Sequence, residues 1–128
     1  MLKTDRRTQL LDITAAVRSA AESGAGTAVV LFVPHTTAGL VVQATGEAAT
    51  RVASDVGSAL ERLVDEEWPY EHLHEGDRNP WAHVRAALMA SSITIPLVDG
   101  RLALGDLQAV FLCEFDGPRE RTVLVSVI

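Results

Sequence analysis

The chain has 128 residues, of which 48% are hydrophobic and 22% charged, with a formal net charge of -6. Such a length and composition are those of one soluble globular domain, so we expect residues 1–128 to fold as a single unit. The acidic balance argues against a nucleic-acid-binding protein and against one that adheres to an anionic membrane surface.

The single cysteine and the absence of long apolar runs indicate a cytoplasmic protein. Cys113 cannot form an internal disulfide and lies in an apolar run, so we expect it in the core rather than as a nucleophile. The sequence contains no run of about eighteen apolar residues, and its first residues lack the apolar region of a signal peptide. We therefore expect neither a membrane span nor secretion.

The first third of the chain predicts a strand, a helix and a second strand. Residues 3–11 predict a short opening strand, and Asp12 or Thr14 can cap a helix that ends before Gly24. The apolar positions of this helix share one face and are Ile13, Val17, Ala20 and Ala21. Residues 27–33 are almost entirely apolar and rich in valine, which predicts a central strand covered on both faces.

The middle of the chain predicts a short strand at residues 40–42 and two helices. The clearer helix covers residues 46–66, where apolar residues recur at spacings of four, four and three: Val52, Val56, Leu60 and Leu63. Asn79 followed by Pro80 is a typical helix start, and this helix should run to about residue 90. We expect it to bury Val84, Ala87 and Leu88.

The last third predicts antiparallel strands. Residues 93–98 and 101–104 should form a hairpin around the tight-turn pair Asp99 and Gly100, and Pro96 places this hairpin at a sheet edge. Residues 108–115 and 122–128 follow as strands, joined by a loop at 116–121. Three helices among strands that finish as a meander imply a compact α+β domain with a mostly antiparallel sheet.

Histidines mark the candidate site. Three of the four lie between residues 70 and 83, and the fourth, His35, follows the apolar run 27–33, where a rigid scaffold gives way to an open loop. We predict that His35, His72 and His83 converge on one divalent metal and leave a position for water or substrate. The alternative is surface or hydrogen-bonded histidines, because the spacing of His72 and His83 matches no tight zinc motif.

Several motifs together resemble one family. They are His35-Thr-Thr-Ala38, Tyr70-Glu-His72, Glu75-Gly76, Asn79, Ala82-His83, Asp99-Gly-Arg-Leu102, Leu104-Gly105, Gln108 and Glu114-Phe-Asp-Gly-Pro-Arg-Glu-Arg121. In this order the chain resembles, over nearly its whole length, the YjbQ family, often called the secondary thiamine-phosphate synthase family. The resemblance implies an α+β subunit, a homotrimer, and a metal held at His35, His72 and His83. It gives no role to His74.

Two departures from the family pattern bear on activity. Gln43 and Ala44 stand where many members carry an Asn-Glu pair, and Asp106 with Leu107 replaces the usual threonine and tryptophan. If the family glutamate is a general acid or base, or orients a metal ligand, Ala44 cannot replace it. The expected activity is affected more than the fold.

The family name implies a transferase that joins a hydroxymethylpyrimidine diphosphate to a thiazole phosphate and releases pyrophosphate. Cationic groups must hold the diphosphate, and a divalent metal, zinc before others, can supply charge together with Arg119, Arg121 and Arg101. Exposure to solvent is the plain alternative for these arginines. Glu75 and Asp77 can take part in catalysis, orient imidazoles or simply keep their loop soluble.

Two classes of function follow from the sequence. The first is a metal-dependent enzyme acting on a phosphorylated small molecule, with a metal-assisted hydrolase as a variant of the transferase. The second is a non-catalytic metal- or metabolite-binding homotrimer, which the loss of the Asn-Glu pair favours. In either case we expect the pocket near a subunit boundary, where a neighbour can lend ligands and arginines.

Overall fold

The computed structural model describes residues 1–22, 25–71 and 79–128. These parts of the chain contain three helices, α1 (Thr14–Ala21), α2 (Ala49–Leu63) and α3 (Pro80–Leu88). Nine strands accompany them: β1 (Leu2–Lys3), β2 (Gln9–Asp12), β3 (Ala28–Phe32), β4 (Ala38–Ala44), β5 (Ser92–Val98), β6 (Arg101–Leu102), β7 (Gln108–Glu114), β8 (Glu120–Arg121) and β9 (Leu124–Val127).

Every strand pairing is antiparallel. A three-stranded sheet has the order β2-β7-β4, a four-stranded sheet has the order β6-β5-β3-β9, and β1 pairs with β8. The predicted α+β class with a mostly antiparallel sheet and three helices is therefore confirmed. No helix in the described ranges is both long and apolar enough to cross a membrane.

Strand β7 lies at the centre of the molecule, and both of its faces are covered. Val110 and Leu112 point into a larger core that lies between the two main sheets and includes α1. Cys113 and the following Phe115 belong to a smaller core under α2 and α3. Burial raises the pKa of the Cys113 thiol to about 12, in keeping with its predicted place in the core.

The strand at residues 27–33 was expected to be central and covered on both faces, and only the first expectation is right. β3 lies between β5 and β9, with Val29 and Leu31 fully buried. Its opposite face is open, because Phe32 is 43% exposed and Val30 only partly buried. In the described chain α1 packs on the core side of this sheet, and α2 and α3 pack on the three-stranded sheet. An apolar run cannot show which face of its strand a helix will cover.

The apolar face predicted for α3 is wrong. Val84, Ala87 and Leu88 are exposed, whereas Ala82 and Arg85 point inward. The Arg85 guanidinium donates to the Val64 carbonyl at the end of α2, with an Nη2···O distance of 2.8 Å. This contact fixes the rotation of α3, and in so short a helix two apolar faces cannot be told apart from the pattern. The prediction also fails at Leu63 in α2, which is 75% exposed.

The remaining elements differ from the predicted ones mainly in where they begin and end. The expected opening strand is divided into β1 and β2, because Thr4 between them is drawn into a buried polar network. At the start of α1 the N-cap residue is Ile13, which makes no side-chain cap, while Asp12 just before it accepts from the Thr14 N–H at 2.9 Å. The edge hairpin is confirmed: β6 ends its sheet, and Asp99 and Gly100 both have positive φ, 51° and 76°.

Candidate functional site

A buried ion pair lies at the end of β7. Glu114 is fully buried and Arg121 is 4% exposed, and the guanidinium binds the carboxylate through Nε and Nη2. Thr4 donates its hydroxyl to Glu114 Oε1 at 2.7 Å, and Arg121 Nη2 donates to Thr37 Oγ1 at 2.8 Å. Every charged group of the pair is thus matched, as burial requires.

Burial by itself would raise the pKa of the Glu114 carboxyl, but hydrogen bonds from Arg121, Thr4 and the Asp116 N–H outweigh it and lower that pKa. The network also explains the glycine of this motif. A Cβ at Gly117 would lie 2.1 Å from the Arg6 carbonyl and 2.9 Å from Thr4 Oγ1. Only glycine lets the loop approach the network so closely.

His35 is attached to this network through the backbone. Its Nε2 accepts a hydrogen bond from the N–H of Thr122, the residue after Arg121, at 2.9 Å. The His-Thr-Thr motif therefore contacts successive residues of the strand end: His35 reaches Thr122, and Thr37 reaches Arg121. Burial first, and the Arg121 charge second, lower the pKa of the half-buried His35, while the Glu114 charge and the backbone contact with Thr122 oppose them. The lowered pKa favours the neutral form of the ring.

Asp116 joins this region to the start of α3. Its carboxylate accepts from Asn79 Nδ2 and from the guanidinium of Arg119, whose Nε donates to the Asp116 carbonyl at 2.8 Å. Asn79 is the N-cap residue of α3, yet its side chain does not cap the helix. His83 lies one helical turn beyond it. The Asn79–Asp116 contact is thus the observed link between the surroundings of His35 and the helix that carries His83.

A cavity of about 550 Å³ opens beside His35. It brings together three predicted site residues, His35, Arg119 and Arg121, and its remaining lining is Phe32, Val33, Pro34, Thr36, Thr37, Ser91 and Asp116. His83 lines a second pocket, of about 270 Å³, with Tyr70, Glu71, Pro80 and Val84. Arg101, on β6, is exposed and lines neither pocket.

Only part of the predicted metal site lies among the described residues. His72, Glu75 and Asp77 lie outside the described residues, as does His74. Within 1–22, 25–71 and 79–128 there is no group of three side chains able to hold a metal. The convergence of His35, His72 and His83 therefore stays a prediction.

The chemistry of His35 bears on that prediction. A metal binds the unprotonated nitrogen of a neutral imidazole, and in His35 that nitrogen, Nε2, already accepts the Thr122 N–H. Coordination through Nε2 would require this hydrogen bond to break. A neutral imidazole is the form that binds a metal. With Nε2 occupied by the Thr122 N–H, however, the folded His35 does not fit the role of a metal ligand.

Sequence reasoning missed four residues of this region: Glu114, Asp116, Asn79 and Thr122. The first three had a signal, because a carboxylate that ends a buried strand needs a cationic partner and Asn79 begins a helix. Thr122 had none, because its contribution is a backbone N–H. Only the folded chain shows where such a group points.

These features define an α+β domain whose antiparallel sheets carry a polar cavity at one strand end. A family model described as "UPF0047 protein YjbQ-like" matches residues 1–128, and the chain belongs to this family. A UPF0047 protein from Archaeoglobus fulgidus is 38% identical over 127 residues, covering 99% of this chain and 97% of its own. The protein YugU of Bacillus subtilis is 34% identical over 133 residues, with coverages of 99% and 95%.

Solved structures agree with this assignment. A hypothetical protein from Aeropyrum pernix K1 superimposes with a TM-score of 0.89 at 36% identity, covering 99% of this chain and 93% of that one. An uncharacterized conserved YjbQ/UPF0047-family protein from Clostridium acetobutylicum gives a TM-score of 0.86 at 38% identity, with coverages of 99% and 96%. The family resemblance inferred from the motifs is confirmed.

Proposed function

We propose that the protein is a cytoplasmic, metal-dependent enzyme that acts on a phosphorylated small molecule at the His35 cavity. One observation carries the proposal: a neutral imidazole and two guanidinium groups line the same cavity. Guanidinium groups bind phosphate oxygens in pairs and offset charge on a leaving phosphate. The transferase reaction implied by the family name, secondary thiamine-phosphate synthesis, is the first reaction to test.

The two arginines have different parts in this proposal. Arg121 is buried and its charge is matched by Glu114, so it sets the local field and shape of the cavity. Arg119 has a side chain that is 45% exposed and an ion pair with Asp116 at the cavity wall. A phosphate dianion can compete with one carboxylate for this exposed guanidinium, so Arg119 is the proposed contact to substrate.

A divalent metal, zinc before others, is part of the proposal. His72 and His83 would hold it, and His35 could join them only by releasing Thr122. When bound, such an ion polarises phosphoryl oxygens or activates water. His83 stands on α3, whose start is tied to the cavity wall by the Asn79–Asp116 contact, and this tie supports a common site.

We also propose a homotrimer with the cavity near a subunit boundary. The open face of the four-stranded sheet carries Phe32 and Leu124, which are neighbours across β3 and β9 and are 43% and 51% exposed. Exposed apolar patches of this kind are typical of interfaces. Because Phe32 also lines the His35 cavity, a partner on this face would border the site.

The second candidate, a non-catalytic metal- or metabolite-binding trimer, is favoured by Ala44 at the end of β4. A methyl group has no proton to exchange and no oxygen for a metal. If the family glutamate is needed for chemistry, binding would survive in this chain and turnover would not.

The test compares turnover of a hydroxymethylpyrimidine diphosphate with a thiazole phosphate, and hydrolysis of simple phosphate esters, in metal-free and zinc-loaded protein. We expect activity that requires metal and falls in His83→Ala. Arg119→Met should raise KM by roughly tenfold or more, through the loss of a charge-assisted contact. Arg62→Met, an exposed arginine in the last turn of α2, is the matched control and should change nothing.

Binding without turnover would establish the second candidate instead. An activity that ignores both added metal and His83→Ala would refute the metal-dependent enzyme.

A further inference from the structure

The hydrogen bond between Thr122 and His35 fixes which ring nitrogen of His35 carries the proton. A backbone N–H can only donate, so Nε2, which lies 2.9 Å from the Thr122 nitrogen, is the unprotonated acceptor. In a neutral imidazole the hydrogen then resides on Nδ1. Turning the ring over would place a carbon opposite the Thr122 N–H and leave that donor without its acceptor.

The donor that imposes this arrangement is itself held in place. Thr122 follows Arg121, whose side chain binds Glu114 and Thr37 and whose backbone pairs with Leu2 in the β1–β8 ladder. The Thr122 N–H therefore cannot turn away from the ring without loosening a buried ion pair. A protonated imidazolium would set two N–H groups against each other, so this geometry opposes that form too.

We propose that His35 works as a hydrogen-bond donor to a phosphate oxygen of the substrate through Nδ1–H, rather than as a metal ligand through Nε2. This inference rests on the proposed function, in that it takes the ligand of the cavity to be a phosphate. It changes the role of His35 from the one that the family resemblance implied.

The surroundings of His35 suit this role. His35 lines the cavity, and because Nε2 accepts the Thr122 N–H, Nδ1 is the nitrogen of the ring left to donate there. Arg119 lines the same cavity, so a phosphate there would meet a neutral donor beside an exposed cationic group. No proton is transferred, because a neutral imidazole that lost Nδ1–H would become an anion. The ring stabilises charge on oxygen and keeps its own hydrogen.

The first experiment reads the ring nitrogens by long-range proton–nitrogen NMR correlation in the full chain, before and after addition of zinc. We expect Nδ1 protonated and Nε2 bare in His35, with no change on adding zinc. A proton on Nε2, or a zinc-induced shift of Nε2, would overturn the inference. A zinc shift confined to other histidines supports it and also supports the metal part of the proposed function.

The second experiment uses two substitutions that separate the ring nitrogens. In His35→Asn the amide NH₂ reaches the position of Nδ1, whereas in His35→Gln the amide oxygen reaches the position of Nε2 and can accept from Thr122. With pyrophosphate as probe, we expect His35→Gln to lose roughly 10- to 100-fold in affinity, as for a hydrogen bond to a charged group. His35→Asn should retain more of the affinity than His35→Gln.

The reverse order of these two affinities would overturn the inference, as would equal affinities in both variants and the native chain. If the native chain binds neither pyrophosphate nor inorganic phosphate, the proposed function falls, and the inference falls with it. If the native chain binds pyrophosphate and Nδ1 of His35 does not respond, the inference alone fails.

Discussion

His35 and His83, the two histidines that the structure describes, occupy unlike surroundings. His35 is attached to a fully buried ion pair whose polar groups are matched by Thr4, Thr37 and the backbone. His83 lies on a nine-residue helix that buries an arginine and turns Val84 and Leu88 to solvent. The first region is preorganised by its own chain. The second presents an apolar face that another surface can cover.

The largest effect should come from breaking the buried pair beside His35. Glu114→Ala leaves the Arg121 charge buried without a partner, so we expect a loss of about 3–5 kcal/mol in the free energy of unfolding. Urea denaturation measures it. The matched control is Glu120→Ala, since Glu120 is 55% exposed and pairs with Lys3 at 3.8 Å. A loss below about 1 kcal/mol in Glu114→Ala would show that the pair does not organise this region.

Acid should weaken the same region before the rest of the molecule. Because hydrogen bonds lower the pKa of Glu114 in the folded state, its contribution is complete above its ordinary value of 4.5. The contribution is lost as the pH falls through the lower folded value. Urea denaturation between about pH 6 and pH 3 should show this loss in the native chain and a weaker one in Glu114→Gln. Equal slopes in both proteins would contradict it.

A smaller effect is expected where the two regions meet. Asp116→Ala removes the acceptor shared by Asn79 and Arg119, and we expect a loss of about 1–2 kcal/mol, since its side chain is only 20% exposed. Hydrogen exchange should quicken in the first turn of α3 more than in β7. Uniform protection in both elements would mean that Asp116 does not connect them.

The smallest effect on stability should come from the outward face of α3. Leu88 is 52% exposed, so Leu88→Ser should change the free energy of unfolding of the chain by less than about 0.5 kcal/mol. Leu40→Ser, in a fully buried position of β4, is the contrast and should cost several times more. A loss above about 2 kcal/mol in Leu88→Ser would place Leu88 in the core of the folded chain.

Much of the chain could be predicted because its signals are local. Asp12 contacts Thr14 at the start of α1, Pro80 stands in the first turn of α3, and Asp99 with Gly100 forms the turn of a hairpin. Each of these signals spans only a few residues. The family motifs likewise identified the family and drew attention to His35, Arg119 and Arg121, which share a cavity.

What the sequence determined by itself, then, was the order of elements, the α+β class and the residue types available to a site. Only the tertiary structure decided that β7, not β3, is covered on both faces, that α3 turns Arg85 inward, and that Thr122 opposes His35. The reason is the range of the contacts. Periodicity reports which side of an element is apolar. It cannot report which element will pack against that side. Nor can it report the direction of a backbone N–H more than eighty residues away, because both exist only once the chain has folded.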